Sequence, residues 1–137
     1  IYTLDNKFAK TGLGMTGTLE SPCSEKEFLE LLKTTFNSKC IKHTSLRNKP
    51  VSKVAVCGGS GADLLSKAIA SNADIFVTAD FKYHQFFDAE GKIVIADIGH
   101  YESEQFTKEI FYDLLIKKFP NFAVRFSEVN TNPVFYF

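Results

Sequence analysis

The spacing of apolar positions changes several times along the chain, and each change marks an element. Ile1 to Leu4 has the look of a strand, and Thr11-Gly12-Leu13-Gly14-Met15-Thr16-Gly17 that of a turn-rich connector. Ser24-Glu25-Lys26-Glu27 forms a capping box, with Ser24 accepting from the Glu27 backbone while the Glu27 carboxylate reaches back. The helix it opens carries Phe28, Leu31, Leu32 and Phe36 on one stripe and is expected to end near Asn37 or Ser38. Cys40 to His43 is a short candidate strand, and Arg47-Asn48-Lys49-Pro50 a turn. From Lys53 the rhythm is regular. Val54-Ala55-Val56-Cys57 is a strand, Gly58-Gly59-Ser60-Gly61 a tight turn, and Ala62 to Ala70 a helix with Leu64, Leu65, Ala68 and Ile69 inward. Ile75 to Thr78 and Ile93 to Ala96 are further strands, with a short helix ending at Ala89 between them. A long helix is expected from about His100 to Phe119, its apolar side Phe106, Ile110, Leu114 and Phe119 beside Phe111 and Leu115, stopped by Pro120. Ala123 to Ser127 and Val134 to Phe137 are candidate final strands around the turn-like Asn130-Thr131-Asn132-Pro133. Continuous apolar strands alternating with helices predict a three-layer α/β domain, its mostly parallel or mixed sheet covered by helices. No repeat interrupts the pattern, so residues 1–137 are expected to form a single domain.

Composition narrows the function classes. Lys plus Arg and Asp plus Glu both number 16, so no net charge draws the chain to nucleic acid or an acidic membrane. No apolar run approaches the ~20 residues of a membrane span, and no signal-peptide pattern is present. Cys23, Cys40 and Cys57 are odd in number and form no C-x-x-C pair, which suits a reducing compartment; a cytoplasmic location is expected. The chain begins at Ile1 without an initiator Met, so a piece of a longer protein is expected.

In such a sheet, ligands bind beyond the carboxyl ends of the parallel strands. Three strands end there in unusual residues: Cys57 with Gly58, Gly59, Ser60 and Gly61; Thr78 with Asp80 and His84; Asp97 with His100 and Glu104. His100 and Glu104, four apart, share a helix face, where an imidazole and a carboxylate can ligate a divalent ion such as Zn²⁺, Mn²⁺ or Fe²⁺. The alternative is a plain helix start, with Glu102 and Glu104 complementing the macrodipole. Gly58 to Gly61 either make a tight turn or let the following backbone N–H groups hold an anion. Asp80 either caps the next helix or lines a site. His84 either packs under the sheet edge or contacts a ligand. Cys57 lacks a paired base and reads as a buried strand-end thiol. His43 is expected at the surface, and Tyr83, Phe86 and Phe87 in the core.

At these residues the chain resembles the GTP cyclohydrolase I type 2 homologues, also called NIF-three-like proteins. Six ordered blocks carry the resemblance from about Gly12 to Phe137: residues 12–19, 54–61, 73–80, 82–84, 97–104 and 131–133. Two departures are Ala79, where the family usually has Gly, and Met15-Thr16, which replaces a more usual Arg-Ile. The resemblance implies the carboxy-terminal half of a NIF-like fold, with residues 1–10 ending an inserted domain. It implies a dinuclear metal centre between two similar halves, in a toroidal homohexamer. Its ligands would be a His-His pair and an Asp from the amino-terminal half, together with His100 and Glu104. The amino-terminal half of the same protein is thus the expected partner, and this chain alone is expected to bind metal weakly or not at all. Asp80 and His84 match positions that line the site without ligating. Such a centre activates water and clamps an oxyanion, and a base such as His84 moves protons near neutral pH. The expected activity is therefore metal-dependent hydrolysis of a nucleotide or another small phosphorylated compound. Two readings compete with it. One is a non-catalytic interaction or regulatory module with a vestigial site. The other is a nucleotide-binding domain using Gly58 to Gly61 with Asp80 on a ribose, disfavoured because Leu64 stands where the last glycine is needed.

Overall fold

The computed structural model describes residues 12–137. The expected strand at Ile1 to Leu4, and the assignment of residues 1–10 to an inserted domain, lie outside the described residues. The elements run β1 (Met15–Ser24), α1 (Glu25–Phe36), β2 (Lys42–His43), β3 (Pro50–Ser60), α2 (Leu65–Ala70), β4 (Ile75–Ala79), β5 (Val94–Asp97), α3 (His100–Glu104) and α4 (Thr107–Lys118). Short 3-10 segments, Ala62–Leu64 and Tyr83–Ala89, follow β3 and β4.

The strands form one five-stranded sheet in the order β1-β3-β4-β5-β2. β3, β4 and β5 are parallel, and the edge strands β1 and β2 pair antiparallel with β3 and β5. The sheet is therefore mixed, with a parallel centre, as the apolar runs predict. Alternation sorts the central side chains between two cores. Val54, Ile75, Val77, Val94 and Ala96 face one side, where Phe28 and Leu32 of α1 cover them. Ala55, Cys57, Phe76, Ile93 and Ile95 face the other, under Leu65 and Ala68 of α2 and Phe81.

α1 starts as its capping box dictates. Glu27 N–H donates to Ser24 Oγ at 3.3 Å, and the Glu27 carboxylate accepts from Ser24 N–H at 2.8 Å. Asn37 ends the helix in the left-handed region, at φ 49°. Of the expected stripe, Phe28 and Leu32 are buried, but Leu31 is 52% exposed.

Several expectations are corrected. Met15 to Gly17 belong to β1 and not to a connector; an edge strand exposed on both faces carries no apolar alternation to betray it. Gly58, Gly59 and Ser60 continue β3 through an irregularity in register, so the chain turns only at Gly61. The long helix is broken between Glu104 and Thr107. Gln105 Nε2 donates to Phe36 O at 2.7 Å and Phe106 packs edge-on against Phe36, contacts with α1 that fix the break. α4 buries none of its residues: Ile110, Phe111 and Leu114 are exposed. Residues 123–127 and 134–137 are irregular, because no neighbouring strand offers them a hydrogen-bonding edge among the described residues. Tyr83 and Phe87 are exposed as a T-shaped pair, and only Phe86 is packed against the core.

Candidate metal centre

The parallel centre brings the ends of β3, β4 and β5 to one edge of the sheet, and α3 starts there. His100 is the first residue of α3, and Glu104 the last, one helical turn on. His100 Nε2 lies 3.2 Å from Glu104 Oε2. On the other side of the ring, His100 Nδ1 lies 2.6 Å from Asp80 Oδ2. The imidazole is thus clasped between two carboxylates, one from the end of β4 and one from its own helix. That arrangement holds its pKa above the usual histidine value, chiefly through the Asp80 hydrogen bond. Partial burial opposes the rise, and Glu104 adds to it.

Gly59 forms the floor beneath this pair. Its φ is +64°, a left-handed conformation, and a Cβ there would stand 2.5 Å from Glu104 Oε1 and 3.3 Å from His100 Cε1. Its N–H donates to Ser103 Oγ at 2.8 Å, and Ser103 Oγ donates to His100 O at 2.8 Å. Gly59 O accepts from Thr78 Oγ1, which ties the end of β3 to that of β4. Gly99, at φ +97°, admits the start of α3, where a Cβ would collide with Glu102 Oε2.

A cavity of about 640 Å³ opens beside the pair, lined by Asp80, His100, Glu104, Lys42, Tyr101 and Tyr136 among others. The carboxy-terminal segment supplies one wall through Asn132, Pro133, Val134 and Tyr136. Burial first, then the neighbouring Glu102 carboxylate, pushes the pKa of the Tyr136 hydroxyl up.

The expected residues are distributed as follows. Asp80, His100, Glu104 and Gly59 converge. Asp80 does not cap the next helix: it sits at φ +60° with its side chain on His100, while Lys82 holds the cap position. His84 stands exposed on the Tyr83–Ala89 segment and is not among the residues lining the cavity. Gly58, Ser60 and Gly61 flank Gly59 at the end of β3, where Thr78 Oγ1 would meet any Cβ on Gly61 at 2.2 Å. Cys57 is buried, and burial first, then the Glu104 charge, pushes its thiol up, away from the reactive thiolate. His43 is exposed in β2, its Nδ1 2.7 Å from Thr44 O. Residue-type reasoning missed the roles of Ser103 and Asp97, whose contacts arise only when strand ends meet.

The residues present fit one side of a metal site. Asp80 takes up the Nδ1 side of His100, which leaves Nε2 as the ring nitrogen turned toward Glu104; this carboxylate–histidine arrangement is the one that orients ligating imidazoles. Among the described residues no group of three or more His, Cys, Asp or Glu side chains is arranged to hold a metal ion; the clasp presents two donor groups, His100 Nε2 and the Glu104 carboxylate.

Comparison with known proteins places the chain in a family. The family described as Duf34/NIF3 (NGG1p interacting factor 3) matches residues 2–133. A Staphylococcus epidermidis protein named GTP cyclohydrolase 1 type 2 homolog is 40% identical over 136 residues, covering 96% of this chain and 37% of the relative. A Campylobacter jejuni protein of the same name is 33% identical over 121 residues, covering 87% of this chain and 47% of its own. The chain therefore spans well under two thirds of the length of these curated relatives. Among solved structures, a Bacillus cereus protein related to NIF3 superposes with a TM-score of 0.79 at 30% identity, over 99% of this chain and 39% of that one. The Staphylococcus aureus protein SA1388 superposes with a TM-score of 0.80 at 27% identity, over 92% of this chain and 42% of that one. By sequence and by fold alike, the chain belongs to the Duf34/NIF3 family.

Proposed function

We propose that this chain contributes His100 and Glu104 to a divalent-metal site in a hydrolase that acts on a nucleotide or another small phosphorylated compound. The observation that carries the reading is the clasped imidazole: Asp80 on Nδ1, Glu104 facing Nε2, at the mouth of a cavity. A bound Zn²⁺, Mn²⁺ or Fe²⁺ would supply Lewis acidity and lower the pKa of a water. Asp80 keeps the Nδ1 side of His100 engaged, so that Nε2 faces the site; it acts by orienting, not by ligating. Gly59 leaves room for the Glu104 carboxylate to reach the same point. The anion-holding part assigned to Gly58, Gly59, Ser60 and Gly61 falls to N–H groups other than that of Gly59, which Ser103 already accepts. His84, exposed after β4, serves as a proton carrier only for a ligand that extends over the sheet edge.

The remaining ligands are assigned to the amino-terminal part of the same protein, and its docking would draw on the apolar side of α4. Ile110, Phe111 and Leu114 are each more than half exposed, which supports an interaction role for that face alongside the metal site. Assembly of the whole protein as a homohexamer, and a cytoplasmic location, are proposed with it. The test is metal analysis of the full-length protein together with turnover on a panel of nucleotides and small phosphate esters. Two divalent ions per chain are expected, with at least one lost, and turnover abolished, in His100→Ala and Glu104→Ala. Stoichiometric metal retained in both variants contradicts the reading.

A further inference from the structure

Asp97 closes β5 with its side chain 1% exposed, and it takes no direct part in the clasp around His100. Its carboxylate is nevertheless fully engaged. Oδ2 accepts from Phe81 N–H at 3.1 Å and lies 2.7 Å from Lys42 Nζ, while Oδ1 accepts from Gly99 N–H at 3.1 Å. Phe81 and Gly99 are the chain neighbours of Asp80 and His100. One buried group therefore pins the peptide unit after Asp80 and the residue before His100; Asp80 and His100 are the two residues whose side chains meet at 2.6 Å.

Both pinned segments are conformationally unusual. Asp80 sits at φ +60° and Gly99 at φ +97°. Left-handed backbone at a non-glycine residue persists only where its surroundings over-determine it, and the Phe81 N–H bond to Asp97 is such a constraint. Lys42, the register partner of Asp97 across β2 and β5, supplies the countercharge that makes a buried carboxylate tolerable. The Lys42 side chain is itself 60% exposed and lines the same cavity, so the pair joins the interior of the site to its rim.

We propose that Asp97 is the positioning residue of this site: by fixing the peptide unit between Asp80 and Phe81 and the one that leads into Gly99, it sets the Asp80–His100 contact. The orientation of the imidazole is then a property of three strand ends held on one carboxylate, and not of α3 alone. The inference concerns the geometry of the pair; only its effect on metal rests on the function proposed above.

The experiment is Asp97→Ala in the full-length protein, read in two ways beside its melting temperature. A metal-free crystal structure should show His100 Nδ1 and Asp80 Oδ2 separated beyond hydrogen-bonding distance while the sheet is retained. Cobalt titration should show affinity down by about 10–100-fold, the range found when a partner that orients a ligating histidine is removed. A lowered melting temperature with the Asp80–His100 contact and cobalt affinity both unchanged overturns the proposal, since that is the pattern of a merely structural carboxylate. If the alanine variant does not fold, Asp97→Asn keeps the shape and loses one of the two acceptors, and the same contact is expected to open; an intact contact there also overturns the proposal. Should the unmodified protein take up no cobalt, the metal reading fails, and the crystal structure still decides the role of Asp97.

Discussion

His100 gains its character from two neighbours that share no element. The Asp80 hydrogen bond is the largest reason its pKa lies above the ordinary 6.5. A histidine whose folded value is raised stabilises the fold fully below the unfolded value, and that contribution is lost as pH rises through the folded value. Metal-free protein should therefore lose a little stability as pH climbs from about 6.5 through the raised value. Asp80→Asn should weaken that dependence, leaving the Glu104 contribution, and bring the His100 midpoint, read by NMR, back toward the ordinary range; an unchanged midpoint would place the cause elsewhere. Gly59 makes a second demand at this scale. Gly59→Ala forces a side chain into left-handed backbone, at about 1–2 kcal/mol, and drives Glu104 away from His100. Chemical denaturation should show that loss, and a structure of the variant should show Glu104 swung out. The sequence made His100 and Glu104 legible because four-residue spacing is a local property. It left the Asp80 role open, since a strand-end carboxylate caps helices as often as it orients a histidine.

At the scale of elements, legibility follows the range of the forces. α1 was readable to its ends, because Ser24, Glu27 and Asn37 act within four residues of their own backbone. Ser24→Ala should cost about 1 kcal/mol by denaturation; no measurable cost would mean the cap is dispensable. The break after α3 was not readable, since Gln105 and Phe106 answer to Phe36, far away in sequence. β1 was invisible for a different reason: its side chains are mostly solvated on both faces, so only pairing with β3 makes it a strand. α4 shows apolar periodicity without burial in this chain. Leu114→Ala should thus change the stability of the 137-residue chain by no more than about 0.5 kcal/mol, whereas Phe76→Ala, in the buried core, should cost roughly 3–5 kcal/mol. Comparable losses in the two would mean that α4 is packed after all.

For the molecule as a whole, the mixed sheet explains why chemistry gathers at one edge. Parallel β3, β4 and β5 all end there, so Gly59, Asp80 and His100, from three stretches of sequence, become neighbours. That convergence was foreseeable from the apolar runs, because strand direction follows from helical crossovers. The other ligands of the proposed site lie outside that local logic: only the family resemblance implies them, in an amino-terminal half. The most direct measurement is a crystal structure of the full-length protein grown with Zn²⁺, with anomalous scattering recorded at the zinc edge. The account predicts a peak about 2.0–2.2 Å from both His100 Nε2 and a Glu104 carboxylate oxygen, with Asp80 still on Nδ1. Zinc bound elsewhere, with no peak between His100 and Glu104, would contradict it.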